Sequence, residues 1–193
     1  MTIAAVVLAA GAGSRLGGVA KALLGGERSF LARVVAAARA AGTEDVVVVV
    51  GAPFGDAVAG EAHRLGARVA WNPAPARGMA SSIAVGFGAL GLGAAAVGDA
   101  AWLWPVDHPH VRAATLHALV DALAAHELAR PVHDGRRGHP PLVARRAWPR
   151  LAGCEALPGG ARDALAGADA VDVAVDDPGV LRDVDVPADL EPA

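Results

Sequence analysis

The sequence predicts an α/β fold with a doubly wound, mostly parallel sheet and helices on both of its faces. Short apolar segments alternate with longer amphipathic ones along much of the 193 residues, which is typical of repeated strand–helix units. One apolar segment, 46–50, is five consecutive valines, the composition of a strand that is buried on both faces of a parallel sheet. The loop after the first apolar segment is rich in glycine, as expected where a strand turns sharply into the next element.

The alternation is regular as far as residue 126 and looser after it. Ser29 precedes an apolar run that ends at Gly42, which predicts a capped helix between them. The predicted strands are 3–8, 46–50, 68–71, 100–104, 129–132, 142–143, 171–175 and one around Val184; the predicted helices are 30–41, 56–65, 79–90, 111–126, 147–151, 161–165 and a last turn at 187–190.

Charge and cysteine content exclude several classes of protein. The formal net charge is -3, which argues against a nucleic-acid partner held by bulk positive charge. The single cysteine, Cys154, allows neither an intrachain disulfide nor a cysteine metal cluster, and we expect a cytoplasmic protein. The uncharged stretch 78–98 is interrupted by glycine and serine, so we expect no membrane-spanning segment and no membrane partner.

The glycine-rich stretch from Leu8 to Lys21 is the first candidate for a binding site. Its glycines leave backbone N–H groups uncovered, and Arg15 and Lys21 add positive charge, a combination that suits phosphate. Lys21 is the single lysine among 17 lysine and arginine residues, which indicates a role for a compact ammonium. The stretch lacks the residues of a P-loop and of a dinucleotide-binding fingerprint. A phosphate site and a plain strand–helix turn both remain open.

Carboxylates follow two later segments. Asp107 comes directly after the predicted strand 100–104 and offers the oxygen ligands that Mg²⁺ prefers. Pro109 separates it from the following helix, which weakens the alternative that it caps that helix. Asp183 and Asp185 alternate with valines and are predicted on one face of a strand. Such paired carboxylates repel unless a cation lies near them, and a solvated strand end is the alternative.

Smaller polar groups lie at corresponding positions. Asn72 ends the predicted strand 68–71, and Ser81 and Ser82 begin the next helix, where they could cap it or contact a ligand. His139 stands between glycine and proline in a predicted loop, facing either a ligand or solvent. The glycine-rich stretch, Asn72 and Asp107 all fall at carboxyl ends of predicted strands, so we expect them to share one site.

Six motifs in this order resemble those of the MobA-like nucleotidyltransferases, and among them the molybdenum cofactor cytidylyltransferases. The resemblance covers nearly the whole chain. The motifs are Leu8-Ala9-Ala10-Gly11 with Ser14-Arg15-Leu16-Gly17 and Lys21; Asn72-Pro73 with Gly78-Met79-Ala80-Ser81-Ser82; Pro105-Val106-Asp107-His108-Pro109; Gly138-His139-Pro140; Gly160-Ala161-Arg162; and Asp183-Val184-Asp185-Val186-Pro187-Ala188-Asp189-Leu190.

The resemblance implies a reaction and a fold. The reaction is Mg²⁺-dependent transfer of a nucleoside monophosphate, CMP from CTP, to a phosphorylated acceptor such as molybdopterin, with release of pyrophosphate. A molybdoenzyme would be a further partner. The fold is the Rossmann-like sheet of the nucleotide-diphospho-sugar transferases, as one domain over 1–193 with a nucleotide-binding half, 1–126, and an acceptor-side half, 127–193.

The resemblance also implies roles for particular residues. Catalysis falls to Arg15, Lys21 and Asp107, and metal binding to Asp107 and Asp185. Acceptor binding falls to His139, Pro140 and Arg162. The residues implied at the nucleotide are Leu8, Ala9, Ala10, Gly11, Ala12, Gly13, Arg15, Lys21, Asn72, Ser81 and Ser82.

Departures from the family pattern leave the substrates open. The spelling Ala9-Ala10-Gly11 is that of the CTP users, whereas the six-residue step from Arg15 to Lys21 is that of guanylyltransferase members. Val186 replaces the usual threonine, and the usual Gly-Asp before 160–162 is missing. The alternatives are a guanylyltransferase, a nucleotidyltransferase for a sugar phosphate or another small phosphate, and a non-catalytic accessory protein that binds a cofactor.

Overall fold

Eight strands form one mixed sheet in the computed structural model, which describes residues 1–11, 13, 18–91 and 98–185. The strands are β1 (Ile3–Leu8), β2 (Thr43–Val50), β3 (Arg68–Trp71), β4 (Ala100–Pro105), β5 (Leu128–His133), β6 (Arg136–Arg137), β7 (Leu142–Ala144) and β8 (Ala170–Ala174). The helices are α1 (Phe30–Ala40), α2 (Gly55–Arg64), α3 (Met79–Ala89), α4 (Ala113–Leu123), α5 (Trp148–Ala152) and α6 (Ala161–Ala164). None of these helices has the length and apolar character needed to cross a bilayer.

The strand order places a switch point at the centre of the sheet. The order is β3-β2-β1-β4-β7-β5-β6, and β8 pairs with β5. Strands β3, β2, β1 and β4 are parallel, and β7 runs antiparallel to both β4 and β5. The chain therefore moves outward from β1 to β3 and then returns through α3 to β4, on the other side of β1. Ligands bind at the carboxyl ends of strands where the order reverses in this way. The predicted doubly wound, mostly parallel sheet is confirmed.

Alternating residues of the central strand feed two hydrophobic cores. Ala5 and Val7 of β1 belong to the core that the sheet forms with α1, α2 and α4. Ala4 and Val6 belong to the core that it forms with α3 and α5. Because neighbouring side chains of a strand point to opposite faces, an uninterrupted apolar segment can serve both layers.

Two glycines allow close approaches that position the site. A Cβ at Gly86 of α3 would lie 2.9 Å from Val49 Cγ2 and would overlap Val6, so the missing side chain lets α3 lie close against β1 and β2. A Cβ at Gly138 would lie 2.8 Å from the carbonyl carbon of Val180. The segment before β7 is therefore pressed against the 3-10 turn Pro178–Val180, which leads towards Asp185.

Some predicted elements differ from the observed ones. A strand around Val184 was the expectation, but 182–185 forms none, and the Val184 N–H instead donates to the Asp107 carbonyl at 2.9 Å. Asp134 and Gly135 have φ of 47° and 72°, which closes a hairpin between β5 and β6 where a loop was expected. The predicted helix 111–126 is shorter because Ala124, at φ 23°, leaves the helical region. The turn predicted at 187–190 lies outside the described residues.

Candidate active site

A pocket of about 360 Å³ opens at the switch point, between the carboxyl ends of β1 and β4. The described residues after β1 form one wall, the start of α3 forms another, and the segment after β4 closes it. The residues that line it are Leu8, Ala9, Ala10, Gly11, Gly13, Lys21, Ala22, Pro75, Gly78, Met79, Ser82, Pro105, Val106, Asp107 and Asp185. Segments that are far apart in the sequence therefore share one concave surface, as their strand-end positions predict.

Lys21 and two carboxylates meet in this pocket. The Lys21 Nζ lies 3.5 Å from Asp107 Oδ2 and also donates to Asp185 Oδ1. Lys21 begins the 3-10 turn Lys21–Leu23, and Asp107 follows β4. The 2.9 Å hydrogen bond from the Val184 N–H to the Asp107 carbonyl holds the backbone next to Asp185. Contacts across 86 and 164 residues of sequence thus converge on a single ammonium.

The electrostatics of the pocket keep Asp107 ionised. Burial acts to raise the pKa of Asp107. The hydrogen bond with His108 Nδ1, 3.1 Å from Asp107 Oδ1, and the charges of His108 and Lys21 act against burial. The balance holds the pKa of Asp107 below its ordinary value of 3.8. Asp107 therefore carries a negative charge at neutral pH.

The two carboxylates suit a hard divalent cation. Asp107 and Asp185 already converge on one cation, the ammonium of Lys21, and they offer oxygen, which Mg²⁺ and Mn²⁺ prefer. No group of three or more His, Cys, Asp or Glu able to hold a metal occurs in the described ranges. The remaining ligands would therefore be phosphate oxygens and water, as is usual for Mg²⁺ at phosphate sites.

Asn72 fixes the direction of the hydrogen bonds at the start of α3. Its Oδ1 accepts from the Ala74 N–H at 2.9 Å, which leaves Nδ2 to donate to Ser81 Oγ at 2.8 Å and Ser82 Oγ at 2.9 Å. The Ser81 hydroxyl donates to the Gly78 carbonyl at 2.8 Å. The Ser82 hydroxyl proton is donated to no acceptor in the part of the chain that the structure describes.

The three polar residues of this region therefore differ in position. Ser82 lines the pocket and has a hydroxyl proton to offer. All three residues are buried, but Asn72 and Ser81 do not line the pocket and support its wall from behind. All three were expected at a nucleotide, and the geometry gives the pocket surface to Ser82 alone among them.

His139 lies behind Asp107. The backbone N–H of His139 donates to the Val180 carbonyl at 2.8 Å. The centroid of its ring is 4.9 Å from that of the His108 ring. Burial, followed by the charge of His108, lowers the pKa of His139 to about 4 despite the opposing charges of Asp107 and Asp183. His139 is therefore neutral at pH 7. Its Nδ1 is buried and has no hydrogen-bond partner among the described residues.

The residues expected at an acceptor lie in two places. His139 and the buried Pro140 stand next to β7, beside His108. Arg162 is exposed on α6, and a Cβ at Gly160, which precedes α6, would lie 3.1 Å from that of Ala80 in α3. None of the three lines the described part of the pocket. Arg15 and Ala12, also expected at the site, lie outside the described residues.

Sequence reasoning missed several contributors. His108 was noted only as part of the motif 105–109, and it is the buried hydrogen-bond partner of Asp107. Pro75 and Met79 line the pocket but were not singled out. Only their positions in the sequence could have identified them as pocket residues, since each lies within a few residues of Asn72 or Ser82.

Comparison with known proteins identifies the class. The family model of the MobA-like NTP transferase domain matches residues 5–173 of the sequence. The chain therefore belongs to that family and is a nucleotidyltransferase. A search of curated proteins gives no match.

Solved structures agree with the fold. Rv0371c from Mycobacterium tuberculosis H37Rv is similar over 98% of this chain and 95% of its own, with 28% identity and a TM-score of 0.77. A structure of Rv0371c in complex with manganese covers 98% and 96%, with 24% identity and a TM-score of 0.71. A nucleotidyl transferase from Methanothermobacter, Mth528, covers 97% and 94%, with 23% identity and a TM-score of 0.79.

Proposed function

We propose that the protein is a Mg²⁺-dependent cytidylyltransferase that transfers CMP from CTP to a phosphorylated acceptor of the molybdopterin type. The observation that carries this proposal is the convergence of Lys21, Asp107 and Asp185 in one pocket at the switch point of the sheet. The family match supports nucleotidyl transfer. The motif Ala9-Ala10-Gly11, which lines the pocket, supports CTP as the donor.

The donor triphosphate lies along the segment after β1, where the backbone at Gly11 and Gly13 lines the pocket and offers N–H groups to phosphate. Asp107 and Asp185 would hold the divalent cation, which would neutralise phosphate charge during transfer. A manganese complex of the similar Rv0371c structure supports a divalent ion here.

The chain's own residues position the groups that react. An oxygen of the acceptor phosphate forms a bond to the α-phosphorus, and the bond from that phosphorus to the oxygen bridging to the β-phosphate breaks. Lys21 and Arg15 stabilise the negative charge on the departing pyrophosphate. His108 keeps one oxygen of Asp107 in a hydrogen bond, so the other oxygen would be the one offered to the cation. No residue needs to act as a nucleophile.

The two halves of the chain divide the substrates between them. Residues 1–126 supply the nucleotide site except for Asp185, and 127–193 supply the acceptor side with His139, Pro140 and Arg162. A molybdoenzyme is the proposed recipient of the product, and the cytoplasm is the proposed compartment. The second candidate donor is GTP, because the six-residue step from Arg15 to Lys21 matches guanylyltransferase members.

Pyrophosphate release tests the proposal. The purified protein is incubated with molybdopterin cofactor, Mg²⁺ and each of CTP, GTP, UTP and ATP, and then with a panel of sugar and alcohol phosphates. Release with CTP and molybdopterin is expected. Release with another acceptor alone would assign a different nucleotidyltransferase, and nucleotide or pterin binding without any release would favour the accessory-protein alternative.

Asp107→Asn tests whether the Asp107 carboxylate is needed for the reaction. The substitution keeps the size of the side chain but removes the charge that holds the cation, so kcat should fall at least about 100-fold. Circular dichroism should be unchanged, because Asp107 is not part of either hydrophobic core. Retention of more than about a tenth of the activity would remove Asp107 from the reaction.

A further inference from the structure

We propose that Lys21 occupies the cation position between Asp107 and Asp185 until a triphosphate binds, so that the lysine and the metal exclude one another. This inference rests on the proposed function, since it concerns the same carboxylates. It adds that metal and triphosphate binding are coupled through the movement of one side chain.

The contacts of the pocket place the Lys21 ammonium against two partly buried carboxylates. The side chains of Lys21, Asp107 and Asp185 are 16%, 24% and 28% exposed, so water screens their charges incompletely. Two carboxylates that face the same point repel each other unless a cation lies between them. Lys21 contacts both and reduces that repulsion.

The geometry of Asp107 leaves little choice of oxygen. Its Oδ1 is in the hydrogen bond with His108 Nδ1 at 3.1 Å, and its Oδ2 faces Lys21 at 3.5 Å. The Asp107 carbonyl accepts from the Val184 N–H at 2.9 Å, which restrains the backbone. The Asp107 oxygen that is not in the hydrogen bond with His108 is therefore the one that faces the ammonium, and it is the oxygen for which a cation would compete with Lys21.

A triphosphate offers Lys21 an alternative partner. Lys21 lines the same pocket as Gly11 and Gly13, so the phosphates would come within reach of its flexible four-carbon chain. When the ammonium transfers to phosphate oxygens, Asp107 and Asp185 become available to the metal. By thermodynamic linkage, triphosphate must then raise metal affinity by the same factor as metal raises triphosphate affinity.

The identity of the residue fits this role. Lys21 is the single lysine in a chain that otherwise uses arginine. An ammonium is a compact charge that a metal ion can replace, whereas a guanidinium fixes two oxygens in a planar fork and is harder to displace.

Mn²⁺ binding without nucleotide tests the exclusion. Free Mn²⁺ is titrated by electron paramagnetic resonance against the wild type, Lys21→Met and Arg33→Met. Arg33→Met removes the same charge from a side chain that donates to the Gly25 and Arg28 carbonyls rather than to the carboxylates. Lys21→Met should bind Mn²⁺ at least about 10-fold more tightly than the wild type. Arg33→Met should stay within about 2-fold of the wild type, because Arg33 bonds backbone carbonyls and is not the group that occupies the cation position.

Further variants locate the metal and guard against misfolding. Adding Asp107→Asn to Lys21→Met should abolish the gain, which assigns the ion to this pair. Lys21→Gln replaces Lys21→Met if the latter fails to fold. Mn²⁺ affinity in the lysine variants equal to or weaker than that of the wild type would overturn the exclusion. The assay contains no nucleotide, so its failure leaves pyrophosphate release untouched, and the absence of pyrophosphate release does not alter its result.

Discussion

The direction of the Ser82 hydroxyl proton decides whether the start of α3 offers the pocket a side-chain hydrogen-bond donor. Asn72 uses its carbonyl on the Ala74 N–H and both amide protons on Ser81 and Ser82. A hydroxyl that accepts from Asn72 has one proton left to donate. The Ser81 proton goes to the Gly78 carbonyl, so Ser82 is the residue that presents a donor to the pocket.

Ser82→Ala should weaken binding of the preferred nucleoside triphosphate by roughly 3- to 10-fold, which corresponds to about 1 kcal/mol for one hydrogen bond. Ser81→Ala is the matched control, because its hydroxyl lies behind the wall and should leave nucleotide affinity nearly unchanged. Isothermal titration calorimetry measures both. Equal losses in the two variants would show that Ser82 acts through the structure of α3 and not through a direct contact.

His139 makes stability depend on pH. Its pKa falls from 6.5 to about 4 in the folded protein, so below pH 6.5 the unfolded chain binds a proton that the folded chain excludes. The free energy of unfolding should therefore fall as the pH drops from 6.5 to 4, by about 3 kcal/mol from this residue. His139→Phe should reduce that loss in urea unfolding between pH 7 and pH 4. An unchanged pH profile would contradict a neutral, partly buried His139.

At the scale of elements, the close contact between α3 and the sheet shapes the pocket. Gly86 leaves no space for a side chain against Val6 and Val49, whereas Gly88, two residues later, is exposed with nothing within 4 Å of an added Cβ. The same helix therefore contains a glycine that packing requires and a glycine that it does not. Because Met79 and Ser82 at the start of α3 line the pocket, the distance of α3 from the sheet affects the site.

Gly86→Ala should lower the free energy of unfolding by about 1–3 kcal/mol, since the new methyl group overpacks the core. Gly88→Ala should raise it by up to about 1 kcal/mol, because alanine favours the helix. Urea denaturation midpoints report both changes. If Gly86→Ala proves as stable as the wild type, then α3 does not need its close contact with β1.

At the scale of the whole molecule, topology brings the charged groups together. Lys21 follows β1, Asp107 follows β4, and these strands are adjacent although 86 residues separate the two side chains. The chain after β8 contributes the second carboxylate of the site. It returns past His139 and places Asp185 in the pocket. The sheet thus explains why distant motifs share one pocket.

Much of this arrangement follows from the sequence. The alternation of strands and helices predicts the sheet. The strand-end positions predict that Asp107 and the segment around Lys21 lie at the same edge of that sheet. Other features depend on tertiary contacts that no local pattern encodes. The Asp–Val alternation at 183–185 suits a strand equally well as an extended segment bonded to Asp107. The position of His108 next to Asp107 does not reveal that their side chains pair.

The most direct test of the account is thermal unfolding with each nucleoside triphosphate, with and without Mg²⁺. If Lys21, Asp107 and Asp185 form one site for triphosphate and metal, CTP with Mg²⁺ at about 100 times its dissociation constant should raise Tm by roughly 5–10 °C. CTP alone should raise it less, and Mg²⁺ alone hardly at all. An equal shift for CTP with and without Mg²⁺, or no shift with any nucleoside triphosphate, would contradict the account.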